Sequence, residues 1–181
     1  MARKPMSLEA LQEKMNAEFL AAITDQSDLA CALIVTTFIE HALITILSRF
    51  FIKGDTSKNM FKEGGNLGDF GKCTNMAYCL GFISDPIRAN LATIGDIRNR
   101  FAHNPGHIDF QDSEISKLCL ALTMPKGWFT KERFEASEKL GKEIGTSRDR
   151  FVEISKLLFA HLIITAKPVK HQEPFSFSRH W

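Results

Sequence analysis

Leu29-Ala30-Cys31-Ala32-Leu33-Ile34-Val35-Thr36-Thr37-Phe38-Ile39-Glu40-His41-Ala42-Leu43-Ile44-Thr45-Ile46-Leu47 is the most apolar run of the chain. It has no alternation of apolar and polar side chains, so it does not read as a half-buried strand. A helix that is apolar nearly all round is buried on most sides. The run is about as long as a membrane span. Glu40 and His41 interrupt its centre, which in lipid costs a few kcal/mol. The reading is therefore the central helix of a helical bundle, from Leu29 to Phe51.

The flanking sequence repeats the helical pattern. Ser7 is placed to cap a helix in which Leu8, Leu11, Met15, Phe19 and Ile23 recur at steps of three and four. Ile52 to Asn66, with Gly54-Asp55-Thr56 and Gly64-Gly65-Asn66, reads as loop. Asn66 can cap a helix over Leu67–Leu80, ended by Gly81. Ser84-Asp85-Pro86 has the chemistry of a helix start. That helix runs to about His103, where Asn104-Pro105-Gly106 stops it. Asp112 to Leu122 and Ser147 to Lys167 read as further helices, and Phe134 to Ile144 as a weaker one. The prediction is an all-α, single-domain bundle of five to seven helices over residues 1–167. A basic, aromatic tail follows over 168–181.

Composition sets limits on function. The chain has 181 residues, 44% of them hydrophobic and 24% charged, which suits one ordered domain. Its formal charge is only +2, so no bulk argument for nucleic acid exists. Fifteen Phe against one Tyr and two Trp point to greasy internal contacts, a subunit interface included. Cys31, Cys73, Cys79 and Cys119 form no CxxC pair and read as reduced thiols of a cytoplasmic protein. The start, MARKPMSLEA, has no apolar signal core.

Ile97-Arg98-Asn99-Arg100-Phe101-Ala102-His103 carries the chemistry. Relative to Arg98, Asn99 lies at roughly 100° around the helix and His103 at roughly 140°. Asn99 and His103 share one face with Asp96. Ile87, Leu91, Ile94, Ile97 and Phe101 gather on the other side, and Arg98 falls among them. A guanidinium in an apolar stripe needs a partner. Glu40, in the middle of the central helix, has the same need. The expectation is that the two meet, directly or through water; otherwise both reach solvent at helix edges. His moves protons near neutral pH, Arg offers a fixed fork of donors to phosphate, and Asn can orient a phosphate oxygen. That set suits metal-independent RNA cleavage, but a capping His and a core-pairing Arg would leave the same residues.

Arg98-Asn99-Arg100-Phe101-Ala102-His103 resembles the Arg-polar-x-x-x-His signature of the HEPN superfamily. The resemblance implies a small helical bundle, a homodimer and a composite site where two motif helices face each other. Many members are RNases of toxin–antitoxin and phage-defence systems, and others are inactive binding modules. A second resemblance covers about half the chain. Gly65-Asn66-Leu67-Gly68-Asp69-Phe70, Ala77-Tyr78-Cys79-Leu80-Gly81-Phe82-Ile83 and Phe110-Gln111-Asp112-Ser113-Glu114-Ile115 are similar to the mannitol operon repressor family. It implies an all-helical regulator of transcription without a DNA-reading helix, acting through protein partners. The sequence departs from that family at Gly71-Lys72-Cys73, where Ser-x-Arg is expected.

Two functions follow. In the first, Arg98, Asn99 and His103 form an endoribonuclease site supported by Glu40 and Asp96. His103 transfers the proton, Arg98 stabilises the phosphorane charge and Asn99 orients the phosphate or the imidazole. In the second, the chain is a non-catalytic regulator with a protein partner. Direct DNA binding is weaker, given the small charge and the missing helix-turn-helix. Gly64, Gly65, Gly68 and Gly71 are no dinucleotide fingerprint, because no strand precedes them. Pro105-Gly106 separates His103 from His107, so no metal site is expected, and no cofactor. His41 and His161 read as core or interface histidines. In the tail, Lys167, Lys170, Arg179 and Trp181 could hold unpaired RNA bases and phosphates. Docking of the tail's Phe and Trp on its own domain or on a neighbouring subunit is favoured over that.

Overall fold

Ser27 opens the central helix: its hydroxyl accepts a hydrogen bond from the Ala30 N–H at 3.3 Å. The helix, α2, runs Asp28–Phe50. The computed structural model describes residues 6–14, 27–106, 108–123 and 145–174. Around α2 stand α1 (Leu8–Lys14), α3 (Asp55–Met60), α4 (Phe70–Cys79), α5 (Asp85–His103), α6 (Ser113–Ala121) and α7 (Ser147–Ala166). Among the described residues all regular structure is helical, and their buried apolar side chains form one core. The all-α, single-domain reading holds.

The core explains the Phe-rich composition. Phe101, Phe110 and Phe151, from α5, the loop before α6, and α7, stack with ring centroids 5.0 and 5.2 Å apart. Phe38 of α2 meets Phe159 of α7 edge to face at 6.2 Å. α7 is the main partner of α2, and α4 and α5 cover another side. α2 is long and apolar enough to cross a membrane, yet 61% of its most apolar window is buried inside the molecule. That is what a core helix shows.

Polar side chains fix the helix ends. Asp28 accepts from the Phe110 N–H at 2.9 Å and from Arg148 at 2.6 Å, tying the starts of α2 and α7 to the loop before α6. Buried Asn90 exchanges two hydrogen bonds with the backbone of Thr123, at 2.6 and 2.9 Å. α4 ends with Gly81 at φ +74°, and the Gly81 and Phe82 N–H groups return to Tyr78 and Ala77 carbonyls. This is a Schellman stop.

Some boundaries differ from the sequence reading. The segment read as loop from Ile52 to Asn66 contains α3. α4 starts three residues later than expected, because Asp69 rather than Asn66 accepts the capping bond, from the Lys72 N–H at 2.9 Å. Residues 63–68 are held in tight turns instead, with Leu67 N–H bonded to Met60 O and Gly68 N–H to Gly65 O. The expected helix over 134–144, the first helix beyond Lys14, and His107 lie outside the described residues.

Residues 167–174, which follow α7, stay on the bundle. Val169 packs against the core, and Gln172 N–H donates to Phe50 O at 2.8 Å. Nδ1 of His171 lies 2.8 Å from Phe51 O. Lys167 and Lys170 are exposed; Arg179 and Trp181 lie outside the described residues.

All four cysteines are free thiols. Burial pushes the Cys119 thiol up to about 12, against a smaller opposing effect of the Arg150 charge. His161, half-buried on α7, is held below its ordinary value of 6.5 by burial. Because its folded value is the lower one, the unfolded chain binds this proton more readily. The neutral ring's contribution is therefore complete above the unfolded value and is lost as pH falls through the folded one. Thermal melts from about pH 7.5 to about pH 5 should show a smaller acid-side loss for His161→Gln than for the wild type. Equal slopes would remove His161 as the cause.

Candidate functional site

α4 and α5 run antiparallel: Phe70 at the start of α4 lies against Gly95 late in α5, and Tyr78 near its end meets Arg88 early in α5. Small residues on the facing sides leave a groove between them of about 400 Å³. Asp69, Gly71 and Asn75 line one wall, Ala92, Gly95, Asp96, Arg98 and Asn99 the other, and Thr36 of α2 contributes from below. Phe70 needs the bare Gly95 backbone: a Cβ there would stand 3.2 Å from its ring.

The structure places three of the expected site residues together. Asp96, Arg98 and Asn99 are exposed and line this groove. The Arg98 guanidinium donates to Asn99 Oδ1 at 2.9 Å. His103 is exposed one turn further on, at the last position of α5, and makes no hydrogen bond to a described residue. Arg98 and Glu40 form no direct ion pair. The helical angle puts Arg98 on the apolar side, but the groove opens at that point and lets solvent reach it. Glu40 is half-buried on α2 and forms no ion pair with Arg98.

Further along the same helix pair, outside the groove lining, stands a Tyr–Arg pair that the sequence reading did not single out. Tyr78 is 41% exposed, and the Arg88 guanidinium sits over its ring, 5.1 Å from the centroid. Arg88 is held there by Asp85 Oδ1, at 2.7 and 3.0 Å. The signal was present: Gly71, Asn75 and Tyr78 recur at helical spacing on one face, and Tyr78 is the one tyrosine of the chain. An exposed Tyr and Arg beside small residues are the side chains enriched in protein interfaces. No group of three His, Cys, Asp or Glu with metal-ligand geometry occurs among the described residues.

The architecture defines a class first: a single-domain helical bundle built round one buried helix, with an antiparallel pair bordering an open groove. A solved structure has the same fold. The chain is similar to MtlR in the X-ray structure of the MtlR–HPr complex from Escherichia coli, with a TM-score of 0.55 and 17% identity, over 86% of this chain and 97% of that one. The expected repressor-like fold is thus the fold observed. No family model and no curated protein matches the sequence.

Proposed function

We propose that this protein is a non-catalytic regulator that docks a protein partner along the α4–α5 groove. The observation that carries this reading is the likeness, over 86% of the chain, to MtlR in the MtlR–HPr complex. The groove supports it chemically. Tyr78 and Arg88 offer an aromatic and cationic anchor, and Asp96, Arg98 and Asn99 supply a polar end. Glycine and alanine between them let a partner's backbone come close.

An HPr protein is the first partner to titrate, by calorimetry, followed by recovery of stoichiometric partners from the host. Tyr78→Ala and Arg98→Glu should each weaken the complex tenfold or more, about 1.4 kcal/mol, without lowering the melting temperature. Binding unaffected by both variants would move the docking face elsewhere.

One observation favours a second reading: Arg98, Asn99 and His103 all stand exposed at one helix end. Two copies of that helix facing each other in a homodimer would make the composite RNase site of the HEPN type. Metal-free cleavage of RNA that leaves cyclic-phosphate ends and disappears in His103→Ala would establish that enzyme and overturn the non-catalytic reading. Activity unchanged in His103→Ala would belong to a contaminant.

A further inference from the structure

A second cavity, of about 870 Å³, lies at the other end of α2, between its last turn, α3 and the residues leading into α1. Along α2, Arg49 at this cavity and Thr36 at the groove are about 20 Å apart. Arg49, Lys53, Lys58, Lys62 and His171 line the cavity, and among the described residues no carboxylate does. Lys58 is occupied by Asp55, at 3.0 Å. Arg49, Lys53 and Lys62 form no ion pair with a described residue.

Arg49 is the informative cation. It is half-buried, and its Nε and Nη2 donate to the carbonyls of Ala166 and Val169 at 3.1 and 3.4 Å. These bonds fix the guanidinium without neutralising it. The exposed Glu9 carboxylate acts on this charge from a distance without forming an ion pair, so an anion that pairs directly with the guanidinium would offset the cost of its partial burial. Phe51 O can only accept, so Nδ1 of His171 carries the proton of that contact, which leaves Nε2 as the ring's other polar atom. Beside the cations, Ile52 and Phe61 give the cavity an apolar side, and Ile52 is 43% exposed. The volume is that of a small-molecule site.

We infer that this cavity binds a small phosphomonoester with an apolar or aromatic body. A phosphate dianion can take the remaining Nη donors of the fixed Arg49 guanidinium and pair with the exposed ammonium of Lys53 or Lys62. The body covers Ile52 and Phe61. The site is separate from the α4–α5 groove, so it stands or falls independently of the partner reading.

The test is a titration of the full chain with phenyl phosphate and with adenosine 5′-monophosphate, followed by calorimetry and by amide NMR shifts. Inorganic phosphate, phenol and adenosine serve as the matched halves. At least one ester should bind saturably one to one, tenfold or more tighter than either of its halves. The shifts should centre on Ile52, Lys53 and Phe61. Lys53→Glu with Lys62→Glu, both exposed positions, should cost tenfold or more in affinity with the melt unchanged. Binding of neither ester below about 1 mM, a level typical of weak ligands, overturns the site. So does affinity that survives the double charge reversal, or single-stranded RNA binding these residues more tightly than both esters.

Discussion

Phe151→Ala should lower the unfolding free energy by about 3–5 kcal/mol, measured by urea denaturation. Phe151 is fully buried in α7, and its ring lies 5.2 Å from that of Phe110, which in turn stacks on Phe101. It is an end member of a three-ring stack that joins α5, α7 and the loop before α6. Truncation removes the transfer contribution of the ring and leaves a space that two stiff neighbours cannot fill. Domains of this size are stable by about 5–15 kcal/mol, so roughly a fifth or more of the total is at stake. A loss under about 1 kcal/mol would mean that the two helices and the loop can close over the gap, contrary to the packing described.

Gly65→Ala is the second large effect, expected at about 2–3 kcal/mol and about 5–10 °C in Tm. A Cβ on Gly65 would stand 2.5 Å from Met60 O, 2.7 Å from Asn59 O and 2.9 Å from Lys62 O. All three are backbone atoms, so relief requires moving the turn rather than rotating a side chain. That turn carries Leu67, which is buried, and its carbonyl accepts from the Cys73 thiol at 3.3 Å. Displacing it shifts the start of α4 and one wall of the groove. Gly71→Ala, where a Cβ would meet only an Asp69 oxygen at 3.6 Å, should change stability little and is the matched control. Equal melts for the two variants would show that the turn yields freely.

Most of the fold could be read from the sequence because local chemistry and tertiary packing agree. Ser27, Asp112 and Thr146 cap helices whose apolar faces point inward, and Gly81 stops α4 as its position implies. The reading failed where the two levels separate. Asn66 has capping chemistry, yet the Gly64-Gly65 turn pulls the chain back on α3, and Asp69 takes the role. Arg98 lies on the apolar side by angle, but exposure depends on what stands opposite, and there Gly71 and Gly95 leave open space. The same limit hid the Tyr78–Arg88 pair beside the groove and the cavity at Arg49. Both are assembled from segments that only tertiary packing brings together.

The pairing of α2 with α7 has a consequence for how the chain is made. α7 begins about a hundred residues after α2 ends, so α2 leaves the ribosome well before the helix that covers it exists. In that interval its greasy surface is open to holdase chaperones and to the machinery that inserts nascent segments into lipid. Glu40 and His41, in the middle of the run, add a few kcal/mol to the cost of placing that segment in lipid during the wait for its own last helix.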